Sequence, residues 1–139
     1  NARTPMQWDD SENAGFTEGT PWIKVNPRYK EINAKAALED RDSIYYYYQK
    51  LIKLRKEMDV ITTGKFELLL RDDPNIFAYK RISAEEKLIV LCNFSAGHVD
   101  IKNSEILSQI KNASIVITNE KRKKDRNRLN PYESVVYSI

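Results

Sequence analysis

The sequence predicts an α+β chain in which an extended arm leads into one amphipathic helix and then into a small antiparallel β domain. Three observations carry that prediction. Turn formers punctuate the stretch from Asn1 to about Asp40 without any sustained period. An apolar period of helical spacing then runs from Asp42 to Asp59. Beyond Gly64 the period shortens to two and recurs in short, turn-bounded runs.

The arm holds Pro5, Gly15, Gly19, Pro21, Asn26 and Pro27, and it is too long for an ordinary loop inside a compact domain. A segment of this kind lies on a surface that fixes it. Its Trp8, Phe16, Trp22 and Tyr29 are then anchors, or else they form a small satellite core of their own. The helix "DSIYYYYQKLIKLRKEMD" can be capped by Asp42 or Ser43 and carries Lys53, Arg55 and Lys56 in its last turns, where the helix dipole favours cations. Ile44, Tyr47, Tyr48, Leu51, Leu54 and Met58 follow the spacing of one buried face. The four successive tyrosines point about 100° apart, so they cannot make a single stacking platform.

The strands expected are Phe66–Leu70, Ile76–Ile82, Lys87–Phe94, Val99–Ile101, Ser114–Thr118 and Ser134–Ile139. Turn chemistry at Asp72-Asp73-Pro74-Asn75, Ser83-Ala84-Glu85-Glu86, Ala96-Gly97 and Asn130-Pro131 separates them. The run from Leu88 to Asn93 is apolar at both parities, which suits a central strand. Short strands joined by short turns argue for an antiparallel sheet or sandwich.

Composition bounds the chemistry. With 139 residues, 41% hydrophobic and 31% charged with both signs mixed, the chain has material for one domain and part of another. No apolar run approaches a membrane span, and no basic n-region precedes an apolar stretch, so neither a membrane nor a signal peptide is expected. The single cysteine, Cys92, suits a reducing, cytoplasmic compartment. With one histidine (His98) beside it, neither a metal site nor a cofactor is expected. Asn93-Phe94-Ser95 and Asn112-Ala113-Ser114 fit the glycosylation pattern. The net charge is +3, with Lys121, Arg122, Lys123, Lys124, Arg126 and Arg128 clustered. Without interleaved aromatics that cluster reads as a solvated loop, and no nucleic-acid partner is expected.

Candidate carboxylates Asp9, Asp10 and Glu12 crowd the start, but adjacent Asp9 and Asp10 diverge, and nothing in the sequence places either in an apolar pocket. There is no phosphate-binding glycine loop and no nucleophile elbow. No residue of this chain is assigned to catalysis.

The stretches "ARTPMQWDDSENAGFTEGTPWIKVNPRYKEIN" and "DSIYYYYQKLIKLRKE", followed by "DDPNIFAYKR", "KLIVLCNFS" and "LNPYESVVYSI", resemble the C-terminal quarter of exo-acting α-glucosidases of the α-amylase superfamily. Bacterial oligo-1,6-glucosidases, dextran glucosidases and trehalose-6-phosphate hydrolases are its nearest members. The resemblance implies that residues 1–59 are the end of a (β/α)8 barrel, a loop on the catalytic face and the final helix, and that residues 60–139 are an all-β C-terminal sandwich domain. It implies a parent that releases terminal α-linked glucose, with its catalytic carboxylates upstream of Asn1 and this portion inactive and structural. The partners are then the barrel of the same polypeptide and the parent's oligosaccharide, with self-association of the portion alone. Family members hold the non-reducing sugar with an arginine just before the position of Asn1. Arg3 and Trp8 are the candidates for substrate contact within this chain. A stand-alone carbohydrate-binding β domain using Tyr45, Tyr46, Trp8 and Trp22 is the alternative, and a basic interaction module is a third.

Overall fold

In the computed structural model, residues 3–120 and 125–139 are described, and Lys121–Lys124 of the basic cluster lie outside them. The chain divides into two compact units, Asn1–Lys53 and Leu54–Ile139.

The first unit has two short 3-10 turns, Glu12–Gly15 and Pro27–Lys30. A helix α1 follows at Ala34–Glu39. Asn33 caps α1 by accepting from Ala36 N at 2.8 Å, while its own amide donates to Tyr29 O at 2.8 Å. Helix α2, Ile44–Glu57, forms where the helical period predicts it and ends with Arg55 and Lys56 in its last turn. The hydroxyl of Ser43 donates to Ala37 O at 2.6 Å, turning toward α1.

The expected buried face of α2 is not buried within this chain. Ile44 is 77% exposed and Tyr48 62% exposed, and no residue of α2 is fully covered. Helix α1 has six residues and spans only about 9 Å at 1.5 Å per residue. It reaches the start of α2 through Ser43 and through Tyr46, whose hydroxyl donates to Leu38 O at 3.0 Å.

In the second unit, α3 (Asp59–Thr62) precedes strands β1 (Lys65–Leu69), β2 (Ile76–Ile82), β3 (Lys87–Asn93) and β4 (Val99–Asp100). Helix α4 (Ser104–Ile110), β5 (Ser114–Thr118), β6 (Arg128–Leu129) and β7 (Ser134–Ser138) complete it. Gly64 makes the tight exit from α3: a Cβ there would meet Val60 O at 2.4 Å. Arg81 of β2 holds α3 in place by donating to Val60 O and Ile61 O at 3.3 and 3.1 Å.

The five-stranded sheet has the order β1-β2-β3-β7-β5, antiparallel throughout, and β4 pairs with β6 separately. As its double apolar pattern implies, β3 is central, and Leu88, Ile89, Val90 and Leu91 are all buried. Asp73 sets the β1–β2 turn by accepting from Asn75 N and Ile76 N, each at 2.9 Å. Ser83 closes the β2–β3 turn against Glu86.

One sheet face carries the core. Ile76, Ala78, Ile89, Leu91, Val135 and Tyr137 pack with Ile106 and Ile110 of α4, Ile101 and Leu129. The layer over the sheet is therefore a capped helix plus a two-residue strand pair. Neither α1 nor α4 is among the elements expected from periodicity. The opposite sheet face shows a row of rings, with Phe66–Tyr79, Phe77–Tyr79 and Phe77–Phe94 centroids 5.2, 5.5 and 6.4 Å apart.

Candidate functional site

The candidate contacts Arg3 and Trp8 both lie in the first unit, on a loop that the chain fastens to itself. Trp8 N and Asp9 N both donate to Ala14 O, at 2.9 and 3.3 Å. On its other side Trp8 O accepts from Lys35 N at 2.9 Å, and Gln7 O accepts from Ala34 N at 2.9 Å. The amide of Gln7 donates to Ile32 O. The backbone around Trp8 is thus held between residue 14 and the start of α1, while the indole stays 53% exposed. That combination of a fixed backbone and an open ring suits a contact residue.

The tight turn that makes this possible is unusual. Asn13, Ala14 and Gly15 all have positive φ, at 53°, 61° and 65°. Ala14 is completely buried. Asn13 stabilises the turn by donating from its amide to Thr17 O and Gly19 O, each at 3.2 Å. Left-handed backbone at non-glycine residues costs about 1–2 kcal/mol each and persists where surrounding contacts over-determine it.

The carboxylates do not form a catalytic pair. Asp9 accepts from Ser11 Oγ and from Ser11 N at 2.9 Å. Those bonds, the hydroxyl's first, hold its carboxyl below the usual carboxylate range. A general acid needs the opposite environment. Asp10 pairs with Lys35 at 3.6 Å, and its carbonyl accepts from Lys30 at 2.8 Å. No cluster of potential metal ligands occurs among the described residues.

The aromatic anchors do not make a satellite core. Trp22 is 78% exposed, and Phe16 is exposed with it. Tyr45 and Tyr46 meet edge to face at 88°, and Arg41 covers the Tyr46 ring at 4.5 Å. The ring row on the sheet is tilted by 32°, 49° and 68°, so it presents no flat platform to a sugar.

Two described members of the basic cluster are tied to the fold by named contacts, Arg126 at the edge of the core and Arg128 on the surface. Arg126 donates to Ile110 O and to Ala113 O (2.6 Å for the latter), and lies over the Tyr137 ring at 5.3 Å. Arg128 joins β6 to β4 by donating to Asp100 at 2.7 Å. Of the two possible glycosylation asparagines, Asn93 is buried. Its amide donates to Gly97 O and Asn130 O at 2.7 Å each, and its oxygen accepts from Ser95 N and Oγ.

The family model for the α-amylase catalytic domain matches residues 1–64. The chain is 52% identical, over its whole length, to 25% of an oligo-1,6-glucosidase from Parageobacillus thermoglucosidasius. It is 46% identical over its whole length to 25% of a trehalose-6-phosphate hydrolase from Bacillus subtilis. Among solved structures, the trehalose-6-phosphate hydrolase of Bacillus licheniformis superposes with a TM-score of 0.89 at 47% identity, covering 99% of this chain and 26% of that one. The isomaltulose synthase of Klebsiella sp. LX3 gives 0.87 at 33%, covering 99% and 25%. The chain therefore spans about a quarter of the length of the relatives it matches.

Proposed function

We propose that this chain belongs to the α-amylase family and is the non-catalytic quarter of a retaining glycoside hydrolase that releases terminal α-linked glucose from oligosaccharides, in the manner of an oligo-1,6-glucosidase. The observation that carries the reading is the match along the entire chain to a quarter-length portion of such enzymes. The exposed apolar face of α2 supports it, because a neighbouring barrel helix would cover Ile44 and Tyr48.

In this reading the rest of the polypeptide supplies the two carboxylates, about 5–5.5 Å apart, that divide hydrolysis into glycosylation and deglycosylation. This chain contributes a rigid loop at the catalytic face. Trp8 offers its ring to an apolar sugar face and Arg3 offers hydrogen bonds to hydroxyls. The second unit supports the barrel from behind. A reducing cytoplasm suits the chain's single thiol, Cys92.

The test is activity with and without the missing portion. A polypeptide of the relatives' length that contains this segment should release glucose from isomaltose, with the α-anomer formed first by NMR, while this chain alone releases none. Failure of the longer protein to cleave any α-glucoside would sink the reading. Within that enzyme, Trp8→Ala should raise KM about tenfold, roughly 1.4 kcal/mol, with kcat little changed. A fall in kcat and thermal midpoint together would make Trp8 structural instead.

A further inference from the structure

The five-stranded sheet has two faces, and the core closes one of them. Alternate residues share a face, so the other side takes Phe66 and Leu68 from β1, Phe77 and Tyr79 from β2, and Val90 and Cys92 from β3. The register sets Leu68 opposite Tyr79, Tyr79 opposite Val90 and Phe77 opposite Cys92. A sheet side left to water ordinarily alternates toward polar residues. This one is aromatic and aliphatic, the composition of an interface centre. Arg81, the charged residue these strands place there, is committed to α3, donating to Val60 O and Ile61 O.

Cover is present over part of this face. Leu88, opposite Arg81 and so at the α3 end, is 1% exposed. Along the same side of β3 exposure rises to 9% at Val90, and Phe94, just past the strand, reaches 71%. Phe66, Leu68 and Phe77 are exposed with it. The apolar face therefore continues beyond the element that covers its first part. That element is informative, because α3 (Asp59–Thr62) lies within residues 1–64, the stretch that matches the α-amylase catalytic domain. Phe66 follows two residues after the match ends.

We propose that Phe66, Leu68, Phe77 and Phe94 form the docking surface for the remainder of that catalytic domain, carried on the same polypeptide, and that it extends the cover α3 begins. The inference rests on the reading that this chain is a quarter of a longer hydrolase, and it names the surface that joins the two parts. Continuity argues for this occupant: the last piece of the catalytic-domain match is already seated on the same face through Arg81. A contiguous aromatic surface of this kind marks an interface rather than a solvent side.

Cys92 reports on this surface without any substitution, since its partly exposed thiol sits opposite Phe77. The experiment compares the rate of Cys92 alkylation by iodoacetamide, read by peptide mass spectrometry, in this chain and in a polypeptide of the relatives' length that contains it. The rate should fall at least about tenfold in the longer polypeptide. Phe77→Thr with Phe94→Lys should return it to within about twofold of the rate in this chain. The same pair should move the urea midpoint of this chain little, because both rings are exposed in it. If the pair unfolds this chain, Phe94→Lys alone, at a position outside the strands, is read in its place. Equal rates in the two proteins overturn the proposal, and so does protection that survives the substitutions. Protection of Cys92 that grows with the concentration of this chain also overturns it, by making a second copy the occupant. The readout does not need turnover. A longer polypeptide that shields Cys92 but cleaves no α-glucoside sinks the glucosidase reading alone, and an active one that leaves Cys92 open sinks the docking surface alone.

Discussion

A Cβ placed on Gly15 would fall 2.7 Å from Oδ1 of Asp9. The backbone at residue 15 is also left-handed, so glycine is required there twice over, by space and by φ. Gly15→Ala should therefore destabilise the first unit by about 1–3 kcal/mol, read from the urea midpoint. Adding Asp9→Ala should recover the steric part and leave the φ part. Full recovery in the double variant would show that the left-handed turn costs nothing.

Asp9 and Asp100 make the same prediction about acid. Ser11 bonds hold the first carboxyl low, and the Arg128 hydrogen bond holds the second low. In the unfolded chain both bind protons at higher pH than in the fold, so acidification favours unfolding. Their contribution is present above the ordinary carboxylate range near about pH 4 and is lost as pH falls below it. Asp9→Asn and Asp100→Asn should each flatten the pH dependence of the urea midpoint between about pH 5 and pH 3. For Asp100, added salt should flatten it too, because the pair with Arg128 is exposed.

Asn93 gathers four hydrogen bonds at a buried position where the β3 end meets two loops. Asn93→Ala leaves the Ser95 N–H without its acceptor and takes one hydrogen bond each from Gly97 O and Asn130 O, which keep Ser95 Oγ and Glu133 N as donors, and it should cost about 1–3 kcal/mol by chemical denaturation. A loss under about 0.5 kcal/mol would mean that water replaces the amide without penalty. The same burial predicts no glycan on Asn93 when the chain is passed through a secretory host, which mass spectrometry reads directly.

The exposed α2 face carries a prediction about association. Ile44, Tyr48 and Ile52 leave a contiguous apolar surface, and such surfaces pair when their natural cover is missing. The isolated chain should sediment as a concentration-dependent oligomer, and Ile44→Lys with Ile52→Glu should return it to a monomer. Monomeric behaviour of the unaltered chain at high concentration counts against this.

The strands were legible because each signal is local. Period-two runs and the turns at Asp73 and Ser83 sit within a few residues of one another, and the six expected strands differ from those observed by at most a residue at their ends, while the two-residue β6 fell in the run read as a solvated loop. Helices α1 and α4 were missed because six and seven residues hold too few apolar positions to show a period. Their caps, Asn33 and Asn103, each accepting from the backbone three residues on, were the signal available. The α2 pattern revealed an apolar face but not what covers it, since periodicity reports a face and not its partner. Nothing in the basic run distinguishes Arg126, whose role depends on where the carbonyls of Ile110 and Ala113 end up. The left-handed turn at Asn13–Gly15 that fixes Trp8 was equally hidden, because only its glycine advertises a positive φ.

The sheet order has a consequence for synthesis. β7, the last strand of the chain, is inserted between β3 and β5 rather than added at an edge. As the polypeptide emerges from a ribosome, β1, β2 and β3 can pair in turn, but β5 has no neighbour in the sheet until residues 134–138 clear the exit tunnel. The core residues Val135 and Tyr137 arrive in that same last instalment. The second unit is therefore completed only once residues 134–138 are free to pair, and a nascent chain halted after Thr118 exposes two unpaired edges to chaperones and proteases. A message truncated before the codons for residues 134–138 should yield degraded protein rather than a shortened, folded one.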